Sequence, residues 1–169
     1  MNKAYFEIIR PGIHSTLQDL GRSNQHHIGV PSSGSMDKRN YLISNKLLGN
    51  KLNDSSLEFA YQGPLIKLNS GKISGVITGN VTFNIIRKNS KTEKGICYQT
   101  FELNDGDQLD IISTNRSVYG YFSIKNGFAG EYIWESCSVN TKAKIGSNNG
   151  EKFGINQKIY INKSESFSD

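Results

Sequence analysis

Cysteine is scarce. Cys97 and Cys137 are the only two, they lie far apart, and neither belongs to a Cys-x-x-Cys pair. That excludes a zinc ribbon and a disulfide framework, and leaves two reduced, partly buried thiols as the expectation. Long apolar runs are missing as well. None approaches the ~20 residues that span a bilayer. The opening MNKAYFEIIRPG has a lysine but no signal-peptide core, because Glu7 and Arg10 interrupt a very short apolar stretch. The sequence therefore reads as cytoplasmic, without a membrane partner.

Phosphate loops are also lacking. The nearest approach to a Walker A motif, Gly146-Ser147-Asn148-Asn149-Gly150-Glu151-Lys152, has the wrong spacing and an acid before the lysine. No Gly-x-Gly-x-x-Gly follows a strand, and no Gly-x-Ser-x-Gly marks a hydrolase nucleophile. Basic residues outnumber acidic ones, giving a net charge of +5, but the lysines are scattered. No basic stripe interleaves with aromatics as a nucleic-acid stacking platform would, so a solvated basic surface is expected, with no nucleic-acid partner.

What the chain does have is concentrated in residues 11–50. All three histidines lie there, His14, His26 and His27, together with Gln18-Asp19-Leu20-Gly21-Arg22 and the turn Ser32-Ser33-Gly34-Ser35. Residues 13–35 hold few apolar positions and many turn formers, so a long loop with at most one short helical turn is expected, and long loops in compact domains tend to be functional. Ser35 reads as an N-cap, with a helix running to about Leu48 and stopped by Gly49-Asn50. Its inward stripe is expected to be Met36, Asn40, Ile43 and Leu47, with Ser44 alongside.

Strand signals fill most of the remainder. They fall at Ala4–Arg10, Leu57–Gln62, Leu65–Leu68, Lys72–Thr78, Val81–Lys88, Tyr98–Leu103, Gln108–Ser113, Tyr119–Ile124 and Lys158–Ile161. Residues 89–95 read as a polar loop, and Asn104-Asp105-Gly106-Asp107 as a hairpin turn. Short, closely spaced strands with one helix predict a mainly β protein, a barrel or sandwich. Residues 1–162 form the expected domain, and 163–169 a frayed tail.

The chemistry-bearing residues allow several arrangements. Adjacent His26 and His27 cannot easily face one ion from an extended backbone, so no metal site is expected. Asp19 beside a turn glycine, with Arg22 three residues on, can form a charge-assisted pair that holds a loop, or Arg22 can bind a carboxylate or phosphate. Glu58 alternates with apolar neighbours on a polar strand face, the pattern of a solvated strand residue, unless that face meets the 11–50 segment. Asn40 on the helix stripe needs partners if buried, and either stitches the preceding loop to the helix or points into a site.

These residues also resemble a known family. Pro11-Gly12, Thr16, Gln18-Asp19-Leu20-Gly21-Arg22, Gly29-Val30, Ser33-Gly34, Met36-Asp37, Asn45, Leu48-Gly49-Asn50 and Leu57-Glu58 are similar to the opening of the allophanate hydrolase subunit 2-like family. That family includes the carboxyltransferase domain of urea amidolyase and the stand-alone C-subunit proteins of 5-oxoprolinase. Thr78-Gly79-Asn80, Asn104-Asp105-Gly106-Asp107 and the run Tyr119 to Gly127 continue the likeness. Later the chain departs from it. Glu135-Ser136-Cys137-Ser138 stands where the family carries Gly-Ser-Arg-Ser, Lys152 replaces an arginine and Gln157 an aspartate.

The resemblance implies a cyclophilin-like β-barrel with one or two short helices, matching the N-terminal half of the family. It implies a homologous subunit 1-like (B-type) partner protein, a small-molecule amide substrate, and ATP as cofactor in opening a cyclic amide. An alternative is the carboxyltransferase part of a biotin-dependent urea carboxylase, with biotin as cofactor. A non-catalytic regulatory binding module is a third. The implied catalytic residues are His26, His27 and Glu58, with Gln18, Asp19, Arg22 and Asn40 binding substrate. Because the missing half would cover an apolar face, a homo-oligomer or a split gene is also expected.

Overall fold

The structure is a computed structural model and describes residues 3–162; the expected tail at 163–169 lies outside the described residues. Eleven strands form the domain: β1 (Tyr5–Arg10), β2 (His14–Gln18), β3 (Ser56–Ala60), β4 (Leu65–Asn69), β5 (Lys72–Thr78), β6 (Val81–Ile86), β7 (Thr92–Lys94), β8 (Phe101–Asn104), β9 (Gln108–Thr114), β10 (Tyr119–Ile124) and β11 (Lys158–Tyr160). They pair antiparallel into a six-stranded sheet, β11-β1-β4-β9-β6-β7, and a five-stranded sheet, β2-β3-β10-β5-β8. The ladders leave two sheets rather than one closed barrel, and the mainly β class with few helices holds.

The core lies between the inner faces. Period-two alternation sends Phe6 and Ile8 of β1, Ile66 and Leu68 of β4, and Leu109 and Ile111 of β9 to one side of it. Leu57 and Phe59 of β3 and Phe122 and Ile124 of β10 meet them from the other sheet. Phe6 touches Phe122 edge-on with ring centroids 5.6 Å apart, and Phe122 touches Phe128 at 5.7 Å. Truncating one of these rings would cost about 3–5 kcal/mol, so this aromatic seam fixes how the sheets sit.

The five-stranded sheet is covered on its other face too. The single long helix, α1 (Lys38–Leu47), packs on β10 and β5. Its start differs from expectation. Asp37 is the N-cap, accepting from the Asn40 N–H at 3.1 Å, while the Ser35 hydroxyl has no partner. The stripe differs as well: Tyr41, Ser44 and Asn45 are buried, whereas Met36 and Leu47 are exposed. The sheet face beneath the helix is polar, so hydroxyls and amides make the contact. The Ser123 hydroxyl bonds that of Ser44 at 2.6 Å and that of Ser56 at 2.5 Å.

Two strands fall where loops were expected. β2 has one apolar side chain that reaches the core, Leu17, and its other face is polar, which hides it from a hydrophobicity pattern. β7 is a short polar arm paired to β6. Among the described residues, no helix is long and apolar enough to cross a membrane.

Candidate functional site

The site follows from one register. β2, β3 and β10 are neighbours, with Thr16 opposite Glu58 and Glu58 opposite Tyr121. The next row places His14 opposite Ala60, and Ala60 opposite Tyr119. Side chains two apart on a strand share a face, so His14, Thr16 and Gln18 line up beside Ser56, Glu58 and Tyr121 on the outer, polar face. All five residues of β3 are buried, Glu58 included at 4% exposure, because α1 and the loops around it roof that face. The expectation of a solvated Glu58 fails for this reason: its face meets the 11–50 segment.

Two loops pack backbone to backbone at one end. Gly21 has φ +90°, and a Cβ there would sit 2.6 Å from the Ser32 carbonyl oxygen. Gly34 has φ +96° and approaches the Leu20 carbonyl almost as closely. The Arg22 N–H donates to the Ser32 carbonyl at 2.6 Å. Asp19, fully buried, then gathers a third loop. Its carboxylate accepts from the hydroxyls of Ser136 (2.5 Å) and Ser138 (2.7 Å) and from the N–H groups of Gly21 and Cys137, both at 2.8 Å. Arg22 does not pair with Asp19, one of the two arrangements the spacing allowed. Its guanidinium donates instead to the carbonyls of Ile133 (3.0 Å) and Ser136 (3.2 Å), leaving Nη1 buried without a partner. Asp19 and Arg22 therefore clamp the same 133–138 segment separately.

Beside this clamp lies a cleft of about 460 Å³, lined by His14, Gln18, Gly34, Glu58, Tyr119 and Lys142 among others. Glu58 Oε2 accepts from the Tyr121 hydroxyl at 2.6 Å and from the Met36 N–H at 2.8 Å. The Tyr121 oxygen in turn accepts from the Asp37 N–H at 2.8 Å. One oxygen of Glu58 thus anchors the entry to α1, and Oε1 has no donor among the described residues. Burial pushes the Glu58 carboxyl above its ordinary range, and its two hydrogen bonds oppose that only in part. Burial, and then the adjacent Glu58 charge, push the Tyr121 phenol far up, so it stays a donor.

Gln18 is 4% exposed and lines the same cleft. Its Nε2 donates to Thr16 Oγ1 and to the Val139 carbonyl, each at 3.0 Å, which fixes the orientation of the amide. Its Oε1 is left without a donor. A buried acceptor lacking a partner is unusual and calls for an explanation.

The other sequence candidates sit elsewhere. His26 and His27 are exposed on a 3-10 turn, His26–Ile28, outside the cleft lining. Asn40 faces Asp37, whose Oδ2 accepts from its Nδ2 at 2.7 Å, and Tyr98, whose hydroxyl donates to its Oδ1 at 2.7 Å. It stitches α1 to the segment after β7 and does not line the cleft. Among the described residues, no three His, Cys, Asp or Glu side chains converge as a metal site would require. Sequence reasoning missed His14 as a cleft group, Tyr121 as the partner of Glu58, and Ser136 and Ser138 as partners of Asp19. The signal for His14 was the alternation His14-x-Thr16-x-Gln18, a polar strand face.

Fold and cleft together define a two-sheet, mainly β domain of the carboxyltransferase type. The family model for the carboxyltransferase domain, subdomain A and B, matches residues 28–169, and the chain belongs to that family. It is 27% identical to urea amidolyase of Lachancea kluyveri over 161 residues, 95% of this chain and 8% of that protein. It is 28% identical to the C subunit of 5-oxoprolinase from Haemophilus influenzae over 136 residues, 80% of this chain and 42% of that one. The crystal structure of the K. lactis urea amidolyase superposes with a TM-score of 0.89 at 25% identity, covering 98% of this chain and 10% of that one. The chain thus spans less than half the length of these relatives.

Proposed function

We propose that this chain is a subunit of an ATP-dependent, 5-oxoprolinase-like amidohydrolase, and that its cleft holds a small cyclic amide. The supporting observation is the unused Oε1 of Glu58 in a cleft that Gln18 also lines. An amide offers one carbonyl acceptor and, if secondary, one N–H donor. A protonated Glu58 can donate to the carbonyl, and a second group on the cleft wall can accept from the N–H. Burial raises the Glu58 carboxyl toward its neutral form, which suits that donation. The cleft pairs a buried carboxyl, Glu58, with one lysine, Lys142, and is lined by no arginine among the described residues. In this reading ATP is held by partner chains, a homologous subunit 1-like (B-type) protein among them.

The test is reconstitution. The chain is combined with the products of its flanking genes, and 5-oxoproline turnover is followed with and without ATP. ATP-dependent turnover that falls at least tenfold in Glu58→Gln is expected. No turnover in any combination overturns the proposal.

A second reading is the carboxyltransferase part of a biotin-dependent urea carboxylase. The likeness to urea amidolyase, over 95% of this chain, favours it. In that reading urea occupies the cleft and biotin arrives on another chain or segment. Urea-dependent loss of carboxyl from carboxybiotin would select it over lactam opening.

A further inference from the structure

Of the three histidines, one lines the cleft, and it is not either of those implied by the resemblance. His14 stands at the start of β2, four residues before Gln18 and on the same face. Its cross-strand neighbour is Ala60, a small side chain that leaves room over the ring, and Tyr119 follows on β10. The imidazole is half-buried, and its nitrogens are neither bonded to the described residues nor sealed off from the cleft. A ring so placed is free to meet a ligand.

The charges around it decide its protonation state. Lys152, from the segment before β11, donates to the Ile13 carbonyl at 3.2 Å, beside the ring. Lys142 lines the same cleft from residues 139–142. Glu58, on β3, is the acidic group lining it, and burial favours its neutral form. Burial first, and then Lys152, lower the proton affinity of His14 below the ordinary imidazole value.

We propose that His14 presents a neutral imidazole to the cleft and accepts a hydrogen bond from the N–H of the bound amide. This rests on the reading that the cleft takes a small amide, and it adds a determinant of which amides enter. His14 selects ligands that carry an N–H, and its protonation removes the acceptor and turns an N–H toward the ligand's own. Binding of a neutral amide therefore weakens on acidification.

The probes are 2-pyrrolidone, a cyclic amide with an N–H, and N-methyl-2-pyrrolidone, which lacks it. Each is titrated by NMR into the full chain with labelled histidine rings, over pH values from above 6.5 to well below it, since His14 titrates below that value. The expected result has three parts. 2-Pyrrolidone shifts the His14 ring signals and binds about fivefold more weakly on the acid side, the value of one neutral hydrogen bond. N-Methyl-2-pyrrolidone binds more weakly and without that pH dependence. His14→Phe loses the affinity at every pH value, whereas His14→Gln, which keeps a carbonyl acceptor that does not titrate, retains it and flattens the profile. The Gln variant also isolates any contribution from titration of Glu58.

Equal binding of the two lactams, wild-type affinity in His14→Phe, or tighter binding on acidification would each overturn the inference. If 2-pyrrolidone moves the Gly34 and Tyr119 amide signals but not the His14 ring, this inference fails and the amide reading survives. If it moves none of them, both fail.

Discussion

Asp19 and Glu58 are both buried carboxyls beside the same sheet, and the fold uses them in opposite ways. Asp19 receives four donors, from Gly21, Ser136, Cys137 and Ser138, spread over both oxygens. Glu58 receives two, both on Oε2. The first group is saturated by the protein. The second keeps an oxygen free at a cleft that Gln18 also lines. Burial alone does not separate a structural carboxyl from a functional one. The count of donors left over does, because desolvation and hydrogen bonding set what the group can still do.

If that contrast is right, the largest loss of stability comes from the saturated side. Asp19→Ala leaves two hydroxyls and two N–H groups without their acceptor in the interior. It is expected to cost about 3–5 kcal/mol, seen as a fall in the urea midpoint at unchanged slope. Arg22→Leu removes two bonds to carbonyls but also a buried charge with an idle Nη1, so about 2 kcal/mol is expected by the same measurement. Tyr121→Phe is smaller. It takes one donor from Glu58 and one acceptor from the Asp37 N–H, about 1 kcal/mol. It also lets the Glu58 carboxyl rise further, since the tyrosine bond is the main influence holding it down. A Tyr121→Phe loss exceeding that of Asp19→Ala would break the contrast.

Much of the fold was legible, because it rests on alternation. Strands Lys72–Thr78 and Tyr119–Ile124 have the expected bounds, and the apolar members of β1, β4 and β9 form the core. The 11–50 segment was also legible as the place where polar groups gather. Its internal order was not. HSTLQ reads as loop because one apolar residue in five gives no period, yet β2 is held by pairing with β3 and by the Val139 and Phe153 N–H groups donating to the carbonyls of Leu17 and Ser15. Three of the four partners of Asp19 lie more than a hundred residues away, so sequence spacing offered Arg22 instead. His14 becomes a cleft group, and Tyr121 the partner of Glu58, only once the register of three strands is known.

Glu58→Gln is the smallest change in stability and the most telling. A glutamine oxygen can keep the bonds from Tyr121 and Met36, so at acid pH, where Glu58 is protonated folded and unfolded, variant and wild type should agree within about 0.5 kcal/mol. The folded carboxyl titrates above the ordinary value of 4.5. As pH rises past that value the unfolded chain loses its proton first, so the wild type loses stability until the folded group ionises, and is flat beyond. The variant lacks this decline and is the more stable protein at neutral pH. Denaturation midpoints taken across that window check the sign. Asp19→Asn, by contrast, loses stability throughout, since its amide must turn an N–H toward donors. If Glu58→Gln instead destabilises the chain at neutral pH, Glu58 is a second structural carboxyl, and the free oxygen at the cleft no longer marks a place for substrate.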